Sequence, residues 1–328
     1  MATDYSNTIR TPAGHSREST KASHNELTSA DKKKQTKNNK IHLGIIDYFV
    51  TKPVTGWLAN EKKLKKRYGI QLFKGVPTEI NSALLEGKID IANVSSFAFG
   101  QHCDKWLLLP NMSVSSAGAV QSVLLFSYYA DWEKLDGCTI AITNQSETSV
   151  ALLKLLCYER FKIKPHFIVS ESNLDTMLEK NSAALIIGDQ ALREGAKRRP
   201  IHGAVPHVFD LGEEWDNWMG YPFVYSVWAV RREVASQVLE SPCLSLLRKS
   251  KKYGNAALSK LAKTEMKKTN LPYPVCELYL KGISYDLTLN HLHGLRLFLE
   301  ASINYFNWNN IRFLSTSAEK WSPIYTRK

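Results

Sequence analysis

From Ile41 onward, short apolar runs of four to eight residues alternate with longer amphipathic ones, and this alternation constrains the fold more than any other feature. Runs of that length are buried strands, and the amphipathic stretches between them are helices. Ile41–Ile46, Gly69–Val76, Ile89–Val94, Val123–Ser127, Thr139–Thr143, His166–Val169, Ala183–Ile187 and Phe223–Val230 are expected as strands. Helices are expected over Trp57–Tyr68, from Thr78 and Glu79 to Gly87, over Thr148–Phe161 and over Leu174–Lys180, with mostly helix after Glu233. Strands and helices in this rhythm form an α/β protein with mostly parallel sheets.

The alternation falls into two blocks. The chain leaves the first near residue 121 and returns near 231, so residues 41–120 form one lobe and 121–231 a second. Residues 232–328 return to the first lobe and add C-terminal helices. A cleft between two such lobes places a ligand beyond the carboxyl ends of the strands. Residues 1–40 carry eight Lys/Arg and four Asp/Glu with few large apolar residues, and are expected to be a disordered basic tail.

Composition removes several classes of protein. Apolar residues make up 44% and charged residues 23%, which is ordinary globular usage. No apolar run reaches the roughly 18 residues of a membrane span, so no membrane insertion is expected. Five cysteines lie far apart and never as CxxC; with no secretory signal visible, they read as reduced thiols in a cytoplasmic protein. His291 and His293 are two apart, which on a helix sends them to different faces, and neither metal nor organic cofactor is expected. The net charge is +12, with basic clusters at 62–67, 197–199 and 248–252. They lack the interleaved aromatics of a base-stacking surface, so no nucleic-acid partner is expected.

Hydroxyl-rich segments fall at the strand ends. Val94 runs into Ser95 and Ser96, which open a short helix, and a serine there either caps the helix or joins the free N–H groups in holding an anion. The second block repeats the pattern: Thr143 leads through a polar loop holding Ser146 to a helix opened by Thr148 or Ser149. Two anion-accepting helix starts, one per lobe, suit a small ligand with two carboxylates. A Ser/Gly loop from Ser113 holds Ser115 and Ser116, and Asp189 follows the strand that ends at Ile187. Asp189 either caps a helix or faces the cleft.

Taken together, these segments resemble the chorismate dehydratases of the futalosine route to menaquinone. The matching stretches run Gly75-Val-Pro-Thr-Glu-Ile-Asn, Val94-Ser-Ser, Ser122-Val-Leu-Leu-Phe-Ser, Thr143-x-x-Ser-x-Thr-Ser and Leu185-Ile-Ile-Gly-Asp. They continue through Asp210-Leu-Gly-Glu-Glu-Trp-x-x-Trp-x-Gly-x-Pro-Phe-Val to Tyr279-Leu-x-x-Ile-x-Tyr and His291-Leu-x-Gly-Leu. The resemblance implies a two-lobed type II periplasmic-binding-protein-like fold with a central ligand cleft. The related dihydroxynaphthoate synthases rank lower, because their opening motif is missing. The chain departs from the family pattern where Val50 takes the place of a cleft asparagine, Ala119 that of a proline and Met219 that of a threonine.

The resemblance implies loss of water from chorismate to give 3-[(1-carboxyvinyl)oxy]benzoate, by a monomer or homodimer. Ser95 and Ser96 are expected at one carboxylate, and Ser146, Thr148 and Ser149 at the other, with Asp189 orienting them. Ser115 and Ser116 are further candidates for ligand contact. Thr51 and Lys52 are the candidates to compensate for Val50. The competing expectation is an inactive homologue that binds a small carboxylate in the same cleft.

Overall fold

The computed structural model describes residues 40–58 and 61–315. The expected disordered tail therefore lies outside the described residues. Two five-stranded sheets organise the rest. The first contains β1 (Ile41–Ile46), β2 (Ile70–Gly75), β3 (Ile91–Ser95) and β4 (Trp106–Ser116), and the second β5 (Val123–Ser127), β6 (Thr139–Thr143), β7 (His166–Ser170), β8 (Ala183–Ile187) and β9 (His207–Asp210). The last strand, β10 (Phe223–Arg231), belongs to the first sheet.

The orders are β2-β1-β3-β10-β4 and β7-β6-β8-β5-β9, so the two sheets share one topology. In each, the fourth strand is the one formed just after the chain has crossed over, and it runs antiparallel to both neighbours. The remaining pairs β1–β2, β1–β3, β6–β7 and β6–β8 are parallel, joined by helical crossovers. Strands β3, β5 and β8 are buried along their whole length, and β8 accordingly reads as an unbroken apolar run.

Three expectations need correction. The return crossing precedes β10, so it falls near 220 rather than 231. The Ser113–Ser116 stretch is not a loop but the end of the 11-residue strand β4. This strand ends the named order, and Pro110 falls in the irregular 109–112 stretch that has no register partner on β10. The region Trp57–Tyr68 is not one helix: a 3-10 turn at Gly56–Leu58 precedes a short helix at Glu61–Lys63 and a π turn at Leu64–Tyr68, which Gly69 ends in the left-handed region.

The crossover segments are held by specific contacts. Asp210 caps helix Leu211–Met219 by accepting from Gly212 N (2.9 Å) and Glu213 N (3.3 Å). The same carboxylate accepts from Val120 N (3.0 Å) and Gln121 N (2.6 Å), fixing the outgoing crossover. Trp215 on that helix is fully buried against Phe223 of β10, and Phe223 packs on Phe298 of the C-terminal helix Leu289–Ser302. One aromatic cluster thus fixes the return crossing.

Candidate active site

A cleft opens at the carboxyl ends of β1, β3, β6 and β8. Tyr48, Val50 and Thr51 after β1, Asn93 and Ser95 on β3, and Ser226 on β10 line one side. Ser146, Thr148 and Ser149 after β6 and Gly188 after β8 line the other, with Ser122, Tyr225 and Tyr279 completing the wall. Among the described residues that line it, none is Asp, Glu, Lys, Arg or His. Any anion held here is held by dipoles.

The hydroxyls divide by what they do with their protons. Ser95 Oγ accepts from Asn81 Nδ2 (3.0 Å) and, as the cap of helix Ser96–Gln101, from Ala98 N (3.4 Å). Thr148 Oγ1 accepts from Phe97 N (2.9 Å), Ser149 Oγ from Ser146 Oγ (3.0 Å), and Ser122 Oγ from Tyr279 Oη (2.9 Å). These four accept from protein donors and give no proton to a protein acceptor among the described residues, so each keeps an O–H for the cleft. Thr51 has spent its proton on Ile46 O (2.8 Å) and Tyr48 O (2.9 Å). Ser226 exchanges bonds with Asn93 in both directions, at 3.0 and 3.2 Å.

Four bonds close the lobes over this cleft. Tyr48 Oη donates to Gln145 Oε1 (3.2 Å), and Phe49 N to Asp189 Oδ1 (3.0 Å). Asn81 Nδ2 donates to Glu147 Oε2 (3.0 Å), and Phe97 N to Thr148 Oγ1. Gly188 (φ +64°) lies under the Tyr48 ring, so close that a Cβ there would sit 3.1 Å from it. Burial pushes the Asp189 carboxyl upward, partly offset by the Phe49 N–H. Burial likewise raises the Tyr48, Tyr225 and Tyr279 hydroxyls, which therefore stay protonated as donors.

Of the residues singled out in the sequence, Val50, Thr51, Ser95, Ser146, Thr148 and Ser149 line the cleft. The others do not. Ser96 turns its hydroxyl to Val224 O on β10. Ser115 Oγ donates to Ser284 O (3.2 Å), in a stretch where β4 pairs with the 284–286 segment. Ser116 Oγ donates to Gly118 O (3.0 Å) and lies 3.1 Å from Tyr225 Oη. Lys52 Nζ pairs with Asp47 at 2.6 Å and is not among the residues that line the cleft. Asp189 positions the loop that carries Val50 rather than the hydroxyls of the other lobe. The second helix starts at Glu147 with Ser146 as its cap, not at Thr148 or Ser149.

Sequence reasoning missed Tyr48, Asn93, Ser122, Tyr225, Ser226 and Tyr279. Asn93 and Ser226 had a signal: each is a polar residue inside an otherwise apolar buried strand, and such groups need a partner. Tyr279 reaches Ser122 from 157 positions away, which only the fold reveals.

The same geometry has known relatives. Residues 41–303 match the family described as menaquinone biosynthesis. The chorismate dehydratase of Thermus thermophilus is 32% identical over 243 residues, 71% of this chain and 87% of that protein. Among solved structures, a protein of Archaeoglobus fulgidus superposes with TM-score 0.62 at 16% identity, covering 80% of this chain and 96% of its own. The alkanesulfonate-binding protein of Xanthomonas axonopodis pv. citri, bound to MOPS, gives 0.61 at 13% identity, covering 80% and 93%. A Candida albicans protein with the generic periplasmic binding protein fold gives 0.50 at 11% identity, covering 86% and 100%. The structural likenesses establish the fold, while the sequence matches place this chain in the menaquinone biosynthesis family.

Proposed function

We propose that the chain removes water from chorismate to give 3-[(1-carboxyvinyl)oxy]benzoate, the activity named for its Thermus thermophilus relative. The observation that carries this reading is the set of four hydroxyls, Ser95, Ser122, Thr148 and Ser149, whose acceptor sites are filled from behind and whose protons remain for a ligand. A dicarboxylate fits such a wall. Neutral donors fixed before the ligand arrives stabilise charge that builds up during reaction, without reorganising.

In this reaction the C3 proton and the C4 hydroxyl leave as water and the ring becomes aromatic. Negative charge developing at C3 spreads through the diene into the ring carboxylate, where the hydroxyl donors receive it. Among the described residues no carboxylate, imidazole or amine lines the cleft to take the C3 proton, and the tyrosines are protonated. The enolpyruvyl carboxylate of the substrate is therefore the base in this proposal, and the acid it becomes can protonate the departing hydroxyl. Positioning then supplies much of the rate.

Incubating the purified chain with chorismate and identifying products by mass tests the reading. Accumulation of a benzoate lighter by one water is the expected result. Chorismate that binds and is recovered unchanged would reduce the protein to a carboxylate-binding module.

A further inference from the structure

The positive charge of this protein is concentrated in two segments. Residues 52–68 and 243–269 together hold 14 Lys/Arg and two Asp/Glu, a surplus of 12 that equals the net charge of the whole chain. All remaining residues balance to zero. These two segments are far apart in sequence, yet the fold packs them together. Helix Cys243–Asn255 lies on helix Lys52–Thr55 and on the Gly56–Leu58 turn, and helix Leu258–Thr269 touches both of these helices. The contact at Gly254 is so close that a Cβ would fall 1.7 Å from Pro53 O.

Lys62, Lys65 and Lys66 of the first segment and Arg248, Lys249 and Lys252 of the second are all exposed. Among them Trp57 and Tyr253 are 55% and 53% exposed, with ring centroids 5.6 Å apart. Phe73, Tyr158 and Tyr305 are exposed as well, but Trp57 and Tyr253 pack on each other where the two basic segments meet.

We propose that this face docks on an anionic lipid bilayer surface, with Trp57 and Tyr253 at headgroup depth and the lysines against the anionic headgroups. Twelve of the fourteen cations are lysines, whose long stems lie along apolar surface while the ammonium stays in the headgroup layer. Recognition of nucleic acid favours the planar fork of arginine and open ring faces for stacking bases. Here arginine is the minority, and Trp57 and Tyr253 cover part of each other. Aromatic side chains with one polar edge settle at membrane–water interfaces. Docking is peripheral, since no helix among the described residues is long and apolar enough to cross a membrane.

Co-sedimentation of the full chain with vesicles tests this. The protein is expected to pellet with phosphatidylcholine vesicles containing about 30% phosphatidylglycerol at low salt, to ignore pure phosphatidylcholine, and to be released near 0.5 M salt, where charges are screened within roughly 3–5 Å. Combined Lys62→Glu, Lys66→Glu, Lys249→Glu and Lys252→Glu should lower the bound fraction at least about tenfold, because each lysine near such a surface contributes roughly a factor of five. Trp57→Ala with Tyr253→Ala, which leaves the charge intact, should weaken binding in low salt and serves if the charge-reversed chain misfolds. Absence of binding to anionic vesicles, equal binding to neutral ones, full retention by either variant, or preferential binding of a mixed-sequence oligonucleotide at the same salt would each overturn the proposal.

Discussion

The carboxylate of Asp189, on the second lobe, accepts the backbone N–H of Phe49, on the first, at 3.0 Å. The residue after Phe49 is Val50, whose carbonyl in turn accepts from Tyr285 Oη at 2.7 Å. The stretch that carries Val50 is thus held from both sides.

Asp189 should show its burial in a pH-dependent stability. Its folded pKa is raised, so ionisation is penalised in the folded state; the penalty is complete above that raised value and absent below the ordinary carboxylate range near 3.9. Asp189→Asn keeps an oxygen for Phe49 N–H and removes the charge. It should raise the Tm at about pH 7.5, with the gain shrinking toward about pH 4.5. Asp189→Ala leaves the N–H without that acceptor and should cost about 1–3 kcal/mol near pH 4.5, and less at about pH 7.5, where the ionisation penalty is also removed. Thermal melts at the two pH values check the sign.

Thr148 and Ser96 both follow a strand end in the sequence, but only Thr148 lines the cleft. Thr148→Val removes both the acceptor of Phe97 N–H and a donor to the ligand, and should lower kcat/KM for chorismate by roughly 10–150-fold, the equivalent of about 1.5–3 kcal/mol for a bond to a charged group. Ser96→Ala should lower the Tm while leaving kcat/KM within about twofold. Steady-state kinetics on the two variants separates cleft from scaffold.

Val50 offers the ligand only methyl groups. Val50→Asn restores a donor and an acceptor at the cleft wall, and kcat should rise, by as much as about 10–150-fold if one bond forms only in the transition state. Lys52→Ala should leave kcat unchanged, because Lys52 is paired with Asp47. A fall in kcat on Lys52→Ala would return that lysine to the site.

Gly188 combines a left-handed backbone with contact against Tyr48. Gly188→Ala should destabilise by about 1 kcal/mol or more from the backbone alone. It should also raise KM by shifting the Tyr48 ring; denaturation and kinetics on one variant measure both.

The apolar runs made most of the fold legible. Ala183–Ile187 and Thr139–Thr143 are buried strands with the bounds their composition implies. The reach of β4 was hidden because Pro110, Asn111 and four serines between 113 and 122 carry loop chemistry, and only pairing with β10 and the 284–286 segment makes 106–116 a strand. The shared topology of the two sheets left no visible sequence repeat, since topology constrains burial rather than identity. Within the cleft, residues following a strand end were legible, but whether Ser95 or Ser96 turns inward depends on which one caps the helix.

The central claim is that neutral donors hold the substrate while no titrating protein group takes its proton. The dependence of kcat/KM for chorismate on pH tests it most directly. Between about pH 6 and 9 the account predicts a flat profile, because the cleft tyrosines titrate above that range and the substrate carboxylates below it. A limb or bell with an apparent pKa inside that window would place a protein acid or base in the reaction and contradict it.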